Sequence, residues 1–167
     1  MLYQAIASAS VSYGTRALLL ERHSKIVKKF GDESKARDTK ASKEAVETIS
    51  SYFKENPNAP FYIGELSISA AALKNVVGAA KELLKPIFLF NVDPSLPTKI
   101  AYLNVVPKEL LKQLDGKTWA APVGEVLKGK GGGKPDSFQG VGSEVNKEKV
   151  EEAKKVAEET FKGVFKQ

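Results

Sequence analysis

The 167 residues contain no cysteine, and histidine, methionine and tryptophan occur once each. Without cysteine no disulfide can staple the fold, and a zinc site has neither thiolates nor a second imidazole beside His23. Cysteine nucleophiles are excluded, and a Ser-His-Asp triad has only His23 to serve as base. No apolar run reaches the length that spans a bilayer, so a membrane is not an expected partner. Acidic residues are missing from the first twenty positions, where Arg16 is the only cation. A signal peptide needs a positive leading segment, which this stretch lacks. It reads as the ragged start of a fragment, with a mitochondrial address as the alternative.

Hydrophobic residues make up 42% and charged residues 28%, enough apolar material for one core of ordinary density. The formal net charge is +6 and the sequence pI about 9.3, a balance suited to a polyanionic partner, most simply nucleic acid.

Helical periodicity places Leu19, His23, Ile26 and Phe30 on one face, opposite Arg22, Lys25, Lys28 and Lys29, with Gly31 as a stop. On that stripe His23 reads as a packed or half-buried helix residue. A second stripe, Ala45, Ile49 and Phe53, with Val46 and Tyr52 alongside, follows Ser42 as a cap and ends at Asn56-Pro57-Asn58. The pair predicts a helical hairpin whose apolar stripe packs on its twin or on another chain. FYIGELSI (61–68) is strand-like. Ser69 caps a helix running to Leu84, and IFLFNV (87–92) has the pattern of a strand buried on both faces. KIAYLNV (99–105) adds a third strand, antiparallel to the second, while the first two are parallel through the helix. Pro107 opens short amphipathic pieces that carry Trp119, Val123 and Val126. Val150, Ala153, Ala157, Phe161 and Val164 line one face of a long last helix, with Glu151–Lys155 and Glu158–Lys162 pairs outside. The expected fold class is α/β (α+β). Its N-terminal helical hairpin (1–57) precedes a small mixed-sheet globular domain with a long C-terminal helix (58–167).

Between the Trp119 piece and the last helix lies GKGGGKPDSFQGVG, Gly129 to Gly142. A Walker A loop needs glycine where Lys128 stands and Ser or Thr where Pro135 follows Lys134. No G-x-G-x-x-G runs through these positions either. A linker joins separate domains, whereas these glycines sit inside one. The reading left is a loop whose bare backbone lies against a ligand while Lys128, Lys130 and Lys134 attract phosphate. Phe138 is either a stacking face or a core aromatic. Lys112 and Lys117 can extend the basic surface.

The run Gly129 to Lys134, with Gln139 and Gly142 after it, resembles the signature of the C-terminal domain of alanyl-tRNA synthetase, the C-Ala module. That family has a Gly-Lys-Gly-Gly-Gly-Lys or Arg run followed by Gln-x-x-Gly, usually with alanine where this chain has Phe138. ENPNAPFYIGELS (55–67) and LDGKTWAAPVGEVLKGKGGGK (114–134) are similar to the family's upstream segments. The match runs from about Phe30 to Gln167, and residues 1–25 resemble nothing recognised. The resemblance implies a noncatalytic tRNA-binding appendage on the outer corner of tRNA, where D- and T-loops meet. Such a module assists aminoacylation and editing by the full enzyme, with alanine tRNA as partner and no cofactor. The related fold, shared with DHH-type phosphoesterases, uses its glycine-rich segment to hold nucleic acid. Lys128, Lys130, Gly131, Gly132, Gly133, Lys134 and Gln139 are then the expected contacts. Alternatives left open are a repurposed DNA-binding role and a homodimer through the helical hairpin. The expected compartment is the cytoplasm, with mitochondrion or nucleus as alternatives.

Overall fold

The computed structural model describes residues 2–8 and 12–165; residues 1, 9–11 and 166–167, with the expectations that fall on them, lie outside. The chain divides into two compact units, Met1–Thr39 and Lys40–Gln167. In the first, α1 (Leu2–Ser8) brings Tyr3 to 6.2 Å from the half-buried ring of His23 on α2 (Tyr13–Glu55).

The expected break at Gly31 does not occur: α2 is one helix of 43 residues, and Ser42 lies buried within it rather than capping a second helix. One glycine costs a helix interior only about 1 kcal/mol. The polar stretch expected as a turn contains no proline, and Lys29–Glu33 and Lys40–Glu44 pair along the helix across it. The two stripes also part company. Ala45 and Ile49 are buried, whereas Ile26 and Phe30 remain 68% and 66% exposed. Asn56 ends the helix as its sequence suggests, its backbone N–H and its amide both donating to the Tyr52 carbonyl.

The second unit is built on β1 (Tyr62–Leu66), β2 (Ile87–Asn91), β3 (Ile100–Val105), β4 (Lys130–Lys134) and β5 (Ser137–Gly142). They form a mixed sheet in the order β1-β2-β3-β5-β4. β1 and β2 are parallel through the crossover helix α3 (Ala70–Glu82), and every other pairing is antiparallel. The Ser69 hydroxyl caps α3 by accepting from the Ala72 N–H at 3.1 Å. On this face Leu73, Val76 and Ala80 of α3 close over Ile87, Leu89, Leu103 and Val105 together with Ala45 and Ile49.

The opposite face is covered by α4 (Gly116–Val126) and α5 (Lys147–Phe165). Trp119, Val123, Ala153, Ala157 and Phe161 pack there on Phe88, Phe90 and Tyr102. Each such fully buried large side chain contributes about 1.5–3 kcal/mol. The Trp119 indole donates to the Ala157 carbonyl at 2.8 Å, tying α4 to α5. On the outside of α5 Lys162 pairs with Glu158 as expected, whereas Glu151 pairs with Lys154 rather than Lys155.

Two buried asparagines act as side-chain bridges. The Asn91 amide bonds both the N–H and the C=O of Ile68. Asn104 donates to the Gly116 carbonyl at 2.8 Å and accepts from the Phe138 N–H at 3.2 Å, so it joins β3 to the start of α4 and to β5. Asn104→Ala is expected to lose roughly 2–4 kcal/mol in urea unfolding, because one buried and one part-buried backbone group lose their partner. A loss under about 1 kcal/mol would show that water replaces the bridge. At the exit of α3, Leu84 sits in the left-handed region (φ 51) and is 74% exposed. Glycine is the usual residue at such a helix end, so Leu84→Gly is expected to gain about 0.5–1 kcal/mol in the same measurement.

Candidate nucleic-acid interface

The glycine-rich segment, expected as a loop, is the edge strand of the sheet. Lys130 to Lys134 pair residue for residue with Val141 to Ser137, and Pro135-Asp136 makes the turn. SFQGVG is a strand, as its pattern suggests. Glycine has poor strand propensity, so the pairing is imposed by β5, which is itself anchored on β3.

The three glycines differ in what holds them bare. A Cβ on Gly131 would lie 2.3 Å from the Gln139 carbonyl oxygen, and one on Gly133 would lie 2.3 Å from that of Ser137. Folding alone therefore forbids side chains at both. Nothing lies within 4 Å of a Cβ on Gly132. Neither a close contact nor a left-handed backbone requires glycine there.

Register then decides which residues share a side. One row across the sheet is Leu103, Gln139 and Gly132; the rows flanking it are Ala101, Val141, Lys130 and Val105, Ser137, Lys134. These rows lie on the side that carries α3. There Gln139 is exposed and Val141 is 44% exposed. The α3 side of the β4–β5 ribbon is thus a bare platform, with Gln139 and Gly132 at its centre and Lys130 and Lys134 on the outer strand. A neighbouring cavity of about 420 Å³, lined by residues that include Gln139 and Val141, brings in Lys74 from α3 and Lys99 from the turn before β3. Sequence reasoning missed both lysines. Lys74, Lys99, Lys130 and Lys134 are exposed and make no ion pair among the described residues.

The remaining expected contacts point elsewhere. Phe138 packs into the α4-side core, its ring stacked at 6.4 Å from Tyr102. Of its two readings the core aromatic is the observed one. Lys128 closes α4 in the left-handed conformation (φ 48): its N–H bonds the Glu125 carbonyl, and the Gly129 N–H bonds that of Gly124. Its ammonium lies 2.7 Å from Glu144 and holds that carboxyl below the usual carboxylate range. Lys117 and Lys128 line a cleft on the α4 side; Lys130, at the corner of the edge strand, also borders it. Lys112 is exposed beyond the short 3₁₀ turn Lys108–Leu110.

The DHHA1 domain model matches residues 58–163, which take in the whole mixed sheet with its glycine-rich edge strand, and the chain belongs to that family. Among its relatives is the alanine–tRNA ligase of Schizosaccharomyces pombe, 37% identical over 126 residues, covering 73% of this chain and 13% of that protein. The cytoplasmic alanine–tRNA ligase of Dictyostelium discoideum is 46% identical over 81 residues, 47% of this chain and 8% of the other. That of Drosophila melanogaster is 29% identical over 163 residues, 93% and 16%. The chain therefore spans a small part of each of these curated relatives. A solved structure, the C-Ala domain from Aquifex aeolicus alanyl-tRNA synthetase, overlays with a TM-score of 0.46 at 25% identity, covering 58% of this chain and 89% of that one.

The glycines generate a stability series. Gly131→Ala and Gly133→Ala are each expected to cost roughly 1–3 kcal/mol, since backbone must shift to admit the methyl. Gly132→Ala is expected to unfold within about 0.5 kcal/mol of the parent. Equal losses at all three positions in thermal melts would show that the spacing at Gly132 is closed in solution.

Proposed function

We propose that residues 58–167 act as a noncatalytic tRNA-binding module, with the α3-side face of the β4–β5 ribbon as the contact surface. The observation that carries this reading is the open space at Gly132, set between Gln139 and two lysines without an ion pair among the described residues, on a strand that buries nothing. A bare backbone lets a flat surface approach to contact distance. A base pair at the outer corner of tRNA, where D- and T-loops meet, is such a surface, and the lysines hold the phosphates around it. Among the expected contacts, Gly132, Gln139, Lys130 and Lys134 meet the RNA. Gly131 and Gly133 keep the strand close to β5, and Lys128 supports the helix end from the other side. The relatives named above are alanine–tRNA ligases, which favours alanine tRNA as partner. It also favours a role in holding that RNA for aminoacylation and editing carried out by a larger enzyme, in the cytoplasm.

Binding of this kind is electrostatic in its salt dependence. Lys130→Ala with Lys134→Ala is expected to weaken tRNA binding in a gel shift at least tenfold. The same pair should flatten the slope of log affinity against log salt by roughly 1.4–1.8, or 0.7–0.9 for each phosphate released. Gly132→Leu should weaken binding as strongly while leaving the slope unchanged. Competition by duplex DNA of equal charge should be poor. If tRNA fails to shift at low salt, or duplex DNA displaces it at equal concentration, the module does not serve tRNA.

A further inference from the structure

The cavity beside the platform has a composition that the platform alone does not explain. Its floor is apolar, formed by Leu73 and Val77 of α3, Ala101 of β3 and Val141 of β5. Leu96, 56% exposed in the turn between β2 and β3, makes an outer wall. At about 420 Å³ it falls in the size class of small-ligand sites.

Its polar groups are of two kinds. Asn91 is fixed by Ile68, whose N–H and C=O bond the two ends of its amide. Asp93 is fixed as well, one carboxylate oxygen accepting from the Ala70 N–H at 3.0 Å and the other from the N–H and hydroxyl of Ser95 at 2.8 and 2.6 Å. The bonds from Ser95 hold that carboxyl below its ordinary range, so it stays ionised. Lys74, Lys99 and the Gln139 amide have no partner among the described residues. An apolar slot with two free cations and one free amide does not suit a sugar or a bare phosphate. It suits a flat heterocycle with apolar faces, a polar edge and a phosphate close by on the same chain.

We propose that this cavity receives a single unstacked nucleobase of the bound RNA, with Lys74 and Lys99 on the adjoining phosphates and Gln139 on the edge of the base. The proposal rests on the platform reading, because Gln139 and Val141 belong to both surfaces. It gives the module a preference for RNA that presents an unpaired base over RNA that offers phosphates alone.

The test compares a hairpin RNA carrying an unpaired loop with a fully paired RNA duplex of equal phosphate number. Affinity for each is measured by anisotropy at one low salt concentration. The parent protein is expected to prefer the loop by about tenfold. Ala70→Phe fills the cavity mouth while keeping the backbone N–H that Asp93 binds, and Leu96→Gly removes the outer wall at an exposed turn. Each should bring the preference close to one and leave duplex affinity unchanged, with melts showing both variants folded. Equal affinity of the parent for both RNAs overturns the pocket and leaves the platform standing, as does a preference that survives in both variants. If the parent binds neither RNA at low salt, the platform reading fails and the pocket with it.

Discussion

The ring of Tyr102 fixes where everything on the glycine-rich side of the sheet can sit. It is buried on β3, and a Cβ would come within 2.2 Å of it from Gly140, 2.6 Å from Gly129 and, at its hydroxyl, 2.9 Å from Gly124. Those glycines belong to β5, to the link into β4 and to the last turn of α4. One aromatic ring thus stands where three segments would otherwise place side chains, and it draws all three to backbone distance. Burial raises the pKa of its phenol above the ordinary value, as expected for a hydroxyl held away from water. With Asn104 bridging β3 to α4 and β5, β5 has little freedom to shift relative to the core.

That constraint separates two kinds of glycine and two kinds of lysine. Glycines that pack against Tyr102 or against the β5 backbone serve the fold, and Gly132 serves none of it. Lys81 and Lys128 are tied to Asp136 and Glu144, whereas the lysines around the platform make no ion pair among the described residues. The α4 side of the ribbon is filled by Phe138 and Tyr102, and the α3 side is left open. A helix that covers only the first three strands, as α3 does, leaves the last two as exposed surface.

The sequence was most legible where alternation and capping agree. Ser69 as a cap, the all-apolar run in β2 and the inward stripe of α5 each carry their own local signal, and the parallel crossover follows from them. It was least legible at glycine. Gly31 reads as a stop, yet its small cost is offset by the ion pairs and the absence of proline that carry α2 through. Lys130 to Lys134 looked like a loop because glycine has no periodicity to read, and its strand state comes from β5. The composition of the candidate site was visible in the signature, but its shape was not. Lys74 and Lys99 reach it from positions far away in the chain, through the folding of the sheet.

Edge position has a dynamic corollary for β4. All five of its residues are exposed, so its order rests on one ladder of backbone hydrogen bonds and on no apolar burial. Three consecutive glycines also release more chain entropy on opening than any other sequence of that length. The free energy that separates β4 from a locally opened state is therefore far smaller than the global one. The sheet can lose its outer strand and regain it while the core beneath Tyr102 remains intact.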